Sequence, residues 1–355
     1  ALTLGVNAAA ATINLTVEGA DQTSPGSGDT IDLTNVAEAV TVNAGSGDDV
    51  VTGGGSGDTI SGGAGDDVLS GGAGDDAING GTGDDQIRGG AGSDALAGGA
   101  GDDLYLFSSG DVGATETLTD NAGTTTLSSA GSGTSVDFTN LADENGASLD
   151  QVDRILIDGG QAVTFSGAQL DAEDIKINAS SSTPSTLNVQ VSDGATRDFS
   201  SLEFTAFDGN DAFGPADTLA IQVTDSGTAG VDIQGTQLGD DITGGSGGDT
   251  LTAGGGDDLI DAGAGVDTAV FSGAYAEYSF QRTGGGLEVS DGRTSSPDGT
   301  DTLSNVEILS FDGGAQLVRV IGDGGYADLS SAVAAAGSGD VILTDGPEIF
   351  SVADA

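Results

Sequence analysis

A nine-residue unit repeated with almost no variation fills residues 44–106. Gly62-Gly63-Ala64-Gly65-Asp66-Asp67-Val68-Leu69-Ser70 is followed at once by Gly71-Gly72-Ala73-Gly74-Asp75-Asp76-Ala77-Ile78-Asn79. Seven such nonapeptides make up this stretch, called block 1, and four more make up residues 235–270, called block 2. Self-similarity at a short fixed period is typical of solenoids, in which each repeat packs only against its neighbours.

Two positions of the nonapeptide keep their chemistry. The sixth is acidic in every copy: Asp49, Asp58, Asp67, Asp76, Asp85, Asp94 and Asp103 in block 1, and Asp240, Asp249, Asp258 and Asp267 in block 2. The eighth is apolar: Val51, Ile60, Leu69, Ile78, Ile87, Leu96 and Tyr105, then Ile242, Leu251, Ile260 and Ala269. A disordered acidic linker would have a similar composition, but disorder does not require an apolar residue at every ninth place.

The glycines decide the local structure. Each glycine costs about 1 kcal/mol in a helix, whereas glycine suits a turn that needs positive φ. The three residues after the turn suffice for a very short strand with its middle side chain inward. Two repeats then form one coil, and equivalent turns recur every eighteen residues at about 4.8 Å. This places Asp49, Asp67, Asp85 and Asp103 in one column and Asp58, Asp76 and Asp94 in another.

Stacked carboxylates need a cation. At roughly 5 Å, neighbours repel by about 3 kcal/mol at an effective dielectric constant near 20. An ion held by carboxylates and turn carbonyls would remove this repulsion, and oxygen ligands favour Ca²⁺ over zinc or copper. We therefore predict that all eleven sixth-position aspartates bind metal. If each ion lies between turns two repeats apart, block 1 encloses five sites and block 2 encloses two, about seven in all.

The predicted sites differ in quality. The best sites should use Asp67, Asp76, Asp85 and Asp94, whose turns all keep Gly-Gly-x-Gly. Weaker sites are expected at Asp58, where Ser56 replaces the fourth glycine, and at Asp240, where Thr236 and Leu238 replace the second and fourth. A side chain at a position that needs positive φ costs about 1 kcal/mol or more.

The unit Gly-Gly-x-Gly-x-Asp-x-apolar-x resembles the repeats-in-toxin (RTX) nonapeptide of secreted bacterial proteins. The resemblance implies a right-handed parallel β-roll that binds calcium between its turns. It also implies export through a type I secretion channel and folding outside the calcium-poor cytosol. Residues 271–320 resemble the capping unit that often follows RTX blocks.

The amino-acid composition narrows the classes of function that are expected. Asp and Glu number 57 against 7 Lys and Arg, a net charge of −50. Binding to nucleic acid needs clustered basic residues, so neither it nor attraction to an anionic membrane is expected. No apolar run reaches the length of a membrane span. The chain has no Cys and no His, so Ser-His-Asp triads, Cys nucleophiles and zincin motifs are absent, and we predict no catalytic residues. Two-carboxylate glycoside hydrolysis stays formally possible, although acidic pairs are too common here to indicate it.

The predicted fold class is all-β: a parallel β-roll or solenoid in two blocks with intervening and capping strands and one short helix near the C-terminus. Residues 1–43 are expected to form strand-rich lead-in coils, and 107–234 an irregular β segment, either sandwich or further coils. Residues 271–320 form the capping unit. In 321–355, Leu329, Val333 and Ala336 have helical spacing before a strand at 341–344, which suggests the start or the cap of a further β-helix.

Two functions from different classes remain. The first is a secreted, calcium-dependent structural protein, without enzyme activity, that self-associates into a surface layer, filament or adhesin at the cell surface. The second is the calcium-binding, secretion-promoting C-terminal module of a larger secreted enzyme, such as a protease, lipase or alginate-acting enzyme. Calcium is the expected partner in both, and a glycan partner is compatible with the first.

Overall fold

In the computed structural model, each nonapeptide forms a glycine-rich turn followed by a strand whose side chains alternate between interior and solvent. In the strand Val68–Ala73, Leu69 is buried while Val68 is exposed. Every eighth-position apolar residue of both blocks is buried, as predicted. The structure describes residues 2–3, 16–18, 28–120, 122–129, 135–143, 149, 151–157, 161–170, 175–179, 186–191, 195–200, 202–204, 218–223, 229–284, 286–295, 298–311, 316–320, 332, 335–336, 341–344 and 349–351.

The strands follow one another with few other elements. Strands β1 to β18 are Leu2–Thr3, Thr16–Glu18, Thr30–Asp32, Thr41–Ser46, Val50–Thr52, Thr59–Ala64, Val68–Ala73, Ala77–Thr82, Gln86–Ala91, Ala95–Ala100, Asp103–Phe107, Glu116–Thr119, Thr125–Ser129, Val136–Asp137, Leu141–Asp143, Arg154–Ile157, Ala162–Ser166 and Lys176–Ala179. Strands β19 to β34 are Thr186–Val191, Thr196–Asp198, Glu203–Phe204, Thr218–Val223, Asp232–Gln234, Asp240–Gly245, Thr250–Thr252, Leu259–Gly263, Thr268–Phe271, Tyr278–Thr283, Gly286–Asp291, Thr300–Ser304, Ile308–Phe311, Gln316–Val320, Val341–Leu343 and Ile349–Ser351.

Most strands of block 1 are longer than the three residues predicted. Strands β6 to β10 have six residues each and include the first two glycines of the next repeat. The backbone stays paired there: Gly45 pairs with Gly63. Gly63 has a φ of 119°, and a Cβ on it would lie 2.1 Å from the carbonyl oxygen of Gly45. Glycine therefore lets the ladder continue where any side chain would end it.

The chain divides into two compact units. Unit 1 comprises residues 1–165, 173–186 and 203–216, and unit 2 comprises 166–172, 187–202 and 217–355. In unit 1, one sheet has the order β1-β3-β5-β7-β9-β11-β13-β16-β18-β21, and another has the order β15-β12-β10-β8-β6-β4-β2. The pairs within these two sheets are parallel. Strands after block 1 thus extend its sheets, which favours further solenoid coils over a sandwich.

Large side chains fill the interior of unit 1 beyond block 1. Phe107 packs edge-on against Phe138 at 5.2 Å, and Phe138 stacks on Phe165 at 4.8 Å between ring centroids. All three rings are buried. The interior of the repeats is lined mainly by aliphatic side chains at the eighth position, whereas the coils beyond block 1 bury a cluster of aromatic rings.

Unit 2 combines parallel coils with an antiparallel end. Block 2 contributes β24 and β26 to one sheet and β25 and β27 to the other, and both continue in parallel into β30 and β31. The hairpin β28–β29 pairs antiparallel and then joins β30. Phe271, Tyr278 and Phe311 pack together with centroids 5.0–5.4 Å apart.

Helical structure is scarce in the described residues. A four-residue helix, α1, spans Gly167–Leu170, and a 3-10 turn spans Tyr275–Glu277. The predicted C-terminal helix falls mostly outside the described residues, although Ala332 and Ala335 are helical. The strand predicted after it is present as β33. Much of the predicted lead-in, at residues 1, 4–15 and 19–27, also lies outside the described residues, and the domain boundaries remain predictions.

Candidate metal centre

The sixth-position aspartates stand at the turns that precede the strands and stack in columns. Because the register pairs residues eighteen apart, as Val50 with Val68 and Val68 with Gln86, equivalent turns lie directly above one another. Column 1 contains Asp49, Asp67, Asp85 and Asp103; column 2 contains Asp58, Asp76 and Asp94; column 3 contains Asp240 and Asp258; column 4 contains Asp249 and Asp267. All eleven side chains are at most 3% exposed.

One carboxylate oxygen of the column residue holds the preceding coil. The backbone N–H of Asp49 donates to Oδ1 of Asp67 at 2.7 Å, and that of Asp67 donates to Oδ1 of Asp85 at 2.8 Å. Block 2 repeats the contact, with the N–H of Asp240 donating to Oδ1 of Asp258 at 2.8 Å. Hydrogen bonds to an ionised acceptor are stronger than neutral ones, so the columns fasten coil to coil.

The environment of the second carboxylate oxygen is suited to a cation. Within the described part of the chain, Oδ2 is buried and accepts no hydrogen bond in eight column residues: Asp49, Asp67, Asp76, Asp85, Asp94, Asp103, Asp258 and Asp267. Buried polar atoms are normally satisfied, and an unpaired buried charge is strongly unfavourable. A row of such oxygens therefore requires protons or metal ions.

The first glycine of the repeat provides the space for an ion. A Cβ on Gly71 would lie 2.1 Å from Oδ2 of Asp76 and 2.7 Å from the carbonyl oxygen of Gly89. Gly80 has the same relation to Asp85 and to the carbonyl of Gly98, at 2.2 and 2.7 Å. Carboxylate and carbonyl oxygens from successive turns thus converge on one small space, which is the ligand chemistry that Ca²⁺ takes.

Burial disfavours the ionised form of these carboxylates when no counterion is bound. Burial, together with the neighbouring column carboxylates, raises the pKa of Asp67 to about 6 and those of Asp76 and Asp85 to about 7. In block 2, burial raises the pKa of Asp267 to about 7 and that of Asp240 to about 8. A bound cation would reverse this shift, because opposite charge favours the ionised form.

Asp58 and Asp240, the two positions predicted to be weak, differ from the others. Oδ2 of Asp58 accepts the backbone N–H of Gly54 at 2.7 Å. Oδ2 of Asp240 accepts the N–H of Thr236 at 2.8 Å, and its Oδ1 accepts the Thr236 hydroxyl at 3.0 Å. Their carboxylates are satisfied within their own turns, so less is gained when an ion binds. Their ranking as metal sites remains a prediction.

Among the described residues, no three acidic side chains gather around one point. A cation in these columns would therefore take much of its coordination from turn carbonyls, and that ligand set remains a prediction.

Sequence reasoning missed a second ladder, at the fifth position. The N–H of Asp84 donates to Oδ1 of Asp66, and that of Asp102 to Oδ1 of Asp84, both at 2.9 Å. This ladder runs opposite to the first, since the side chain here accepts from the following coil. The Asp-Asp doublets carried the signal, but no separate role was predicted for their first members.

Sequence reasoning also missed three acidic residues beyond the repeats. Glu116, Asp301 and Glu307 lie in register with columns 2, 3 and 4, respectively, and accept the N–H of the last aspartate in each. Each begins an acid-x-leucine triplet, the pattern of positions six to eight, which could have identified them.

Comparison of the chain with known families supports this geometry. The family model of the RTX calcium-binding nonapeptide repeat matches residues 43–78, 70–105 and 234–269. These segments contain all eleven column aspartates and, in the structure, form parallel β-coils.

The chain is an RTX β-roll protein. Its RTX repeats are calcium-binding nonapeptides, and the orphaned Oδ2 atoms beside turn carbonyls fit calcium. Calcium would supply positive charge to the columns. The residues that would hold it are the column aspartates and the carbonyls of their turns. No curated protein matches the chain.

RTX repeat proteins are typically secreted. None of the helices in the described residues is long and apolar enough to span a membrane.

Proposed function

We propose that this RTX protein is a secreted structural protein without enzyme activity, which folds on calcium outside the cell and assembles into a surface layer, filament or adhesin. The observation that carries the calcium-dependent step is the row of buried carboxylate oxygens without hydrogen-bond partners. In calcium-poor solution these oxygens repel one another, and in millimolar calcium the ions bridge them. The cytosolic chain is then kept unfolded for export and folds on arrival outside.

The chemistry of the side chains supports a structural role. The sequence has no His and no Cys, which removes the commonest general base and the thiol nucleophile. The buried acids of the described residues mostly belong to the columns and have a repeat explanation.

Assembly is supported by the surface. The fifth-position residues of column 1 form an exposed row of carboxylates one coil apart: Asp48, Asp66, Asp84 and Asp102. Copies of a chain with a net charge of −50 repel one another. Divalent ions between such rows, or pairing at uncovered strand edges, would allow contact.

A calcium titration of the purified chain tests both steps. Circular dichroism should show β structure appearing at calcium concentrations of about 0.1–1 mM, as for extracellular calcium modules. Analytical ultracentrifugation at millimolar calcium should then show self-association that magnesium at equal ionic strength does not produce. A chain that folds with calcium yet sediments strictly as a monomer at high concentration would favour the alternative, a secretion-promoting module of a larger enzyme.

A further inference from the structure

Three acidic residues outside the nonapeptides take over the hydrogen bond that ends each column. Inside a block, the N–H of a column aspartate donates to the aspartate eighteen residues later. At the ends, the N–H of Asp94 donates to Oε2 of Glu116 at 3.0 Å. That of Asp258 donates to Oδ1 of Asp301 at 3.0 Å, and that of Asp267 to Oε2 of Glu307 at 2.9 Å. The sequence separations are 22, 43 and 40 residues.

The strands that follow these acids keep the register of the repeats. Leu118 pairs with Leu96, Leu303 with Ile260, and Leu309 with Ala269. All three leucines are buried. The acid and the leucine two residues later therefore occupy positions six and eight of a coil that the nine-residue count does not reveal.

Two of the turns that lead to these acids also stack like repeats. A Cβ on Gly113 would lie 1.8 Å from the carbonyl oxygen of Gly92, and one on Gly299 would lie 1.9 Å from that of Gly256. The N–H of Thr300 donates to Oδ1 of Asp257 at 2.8 Å, which continues the fifth-position ladder. The backbone before Asp301 thus reproduces the fourth and fifth positions of a nonapeptide, and that before Glu116 reproduces the stacked glycine with one residue inserted.

Each end also contains a buried oxygen without a partner. Glu116 is 0% exposed, and its Oε1 accepts no hydrogen bond within the described residues. In unit 2 the orphaned atoms are Oδ2 of Asp258 and of Asp267. The carboxylates of Asp258 and Asp301 face one another, and both residues are buried. Facing carboxylates in a dry site require a shared proton or a cation.

We propose that Glu116, Asp301 and Glu307 each complete one further calcium site, at the C-terminal ends of columns 2, 3 and 4. The inference rests on the calcium binding of the repeats and raises the number of enclosed sites from seven to ten. Column 1 gains none, because Thr125 follows Asp103 in register. In unit 2, the two ions tie β30 and β31, which follow the hairpin β28–β29, to block 2.

The count of bound ions tests the proposal in the full chain. Glu116→Gln, Asp301→Asn and Glu307→Gln keep the size of each side chain and an oxygen that can accept the N–H, but they remove the charge. Asp232→Asn, at an exposed position of β23, is the matched control. Equilibrium dialysis at about 1 mM calcium should find one ion fewer in each variant, three fewer in the triple variant, and no change in the control.

A gain-of-site variant covers the case in which the amide variants do not fold. Thr125→Asp places a carboxylate next in register after Asp103 and should add one ion per chain, whereas an unchanged count contradicts the proposal. Wild-type protein that binds no calcium would contradict the proposed function itself. Wild-type protein that binds calcium, with a folded triple variant that keeps every ion, would contradict only the three end sites.

Discussion

Block 1 and block 2 carry the same nonapeptide but satisfy its carboxylates differently. In block 1, glycine occupies the first position in six consecutive repeats, from Gly53 to Gly98, and leaves space beside the aspartate. In block 2, Ala253 and Ala262 stand at that position before Asp258 and Asp267. Those two aspartates instead meet carboxylates from the segment that follows the block. Block 1 therefore distributes its need for cations along its length, whereas block 2 concentrates that need at one end.

The start of block 2 shows the opposite extreme. Asp240 receives two hydrogen bonds from Thr236, one from the backbone and one from the hydroxyl. The carboxylate in such a turn has hydrogen-bond partners without a metal ion. The same fold can therefore use side-chain hydrogen bonds in one turn and cation binding in another. The comparison predicts a gradient of calcium dependence within unit 2 and, except at Asp58, near-uniform dependence within block 1.

Removal of calcium should have the largest effect. Binding to the folded state alone stabilises it by about 2.7 kcal/mol per site when the free ion is at 100 times Kd, and block 1 has several sites. Hydrogen–deuterium exchange in excess chelator at pH 7.5 should show loss of protection throughout β6 to β10. Residual protection should persist around Thr236 and Asp240. Equal, full protection of both blocks in a sample shown to be calcium-free would contradict the cation requirement.

Acid should partly replace calcium. The folded-state pKa values of Asp67, Asp76, Asp85 and Asp267, raised to between about 6 and 7, exceed the unfolded value of about 3.9. The folded chain then binds more protons, so this stability is present below about pH 4 and is lost as pH rises through about 7. Calcium-free protein should melt at a higher temperature at pH 5 than at pH 7.5. With saturating calcium the order should reverse, because protons compete with the ion.

Substitution of single aspartates should have the next largest effect, and the effect should differ between the two blocks. Asp76→Ala removes an orphaned carboxylate and leaves the buried N–H of Asp58 without its acceptor, a loss of about 1–3 kcal/mol. Asp240→Ala removes a carboxylate that its own turn already satisfies. The calcium midpoint for folding, followed by circular dichroism, should rise about tenfold for Asp76→Ala and clearly less for Asp240→Ala. Equal midpoints would show that the hydrogen bonds from Thr236 do not weaken that site.

The first-position glycine offers a finer test. Gly71→Ala should raise the calcium midpoint severalfold, since its Cβ would lie 2.1 Å from Oδ2 of Asp76 and overpacking typically costs about 1–3 kcal/mol. Gly55→Ala is the control, because the nearest atom to its Cβ would be 3.8 Å away. A Gly71→Ala midpoint no higher than that of the control would mean that the space beside the carboxylate is not where the ion binds.

The exposed ladder of fifth-position aspartates should contribute least to the stability of the fold. Asp66→Asn keeps an acceptor for the N–H of Asp84 and removes one surface charge, so the melting temperature in calcium should change little, with a stability change within about 0.5 kcal/mol. Sedimentation is the more sensitive measurement. If the exposed carboxylates bridge copies through calcium, replacing Asp48, Asp66, Asp84 and Asp102 together should weaken self-association without altering the fold.

The sequence predicted what a local period can encode. Asp76 and Ile78, with their equivalents every nine residues, marked the turn and the buried position, and the structure has both. The six-residue strands were not predicted, because parallel pairing of glycine backbones depends on the neighbouring coil. Asp301 and Glu307 were assigned only to a capping unit, because a hairpin separates them from block 2 and no fixed spacing survives it. Their role depends on hydrogen bonds across 43 and 40 residues.

Because successive strands alternate between two sheets, it matters whether a block gains or loses an odd or an even number of repeats. In block 1, β5, β7, β9 and β11 belong to one sheet and β6, β8 and β10 to the other. Deleting or duplicating a single nonapeptide would move every later strand, including β11 with Phe107, to the sheet opposite its present one relative to the strands before the change. An eighteen-residue change would return each strand to its own sheet. Such a block can therefore lengthen or shorten by pairs of repeats while its two ends keep their relative placement in the sheets, but not by single ones.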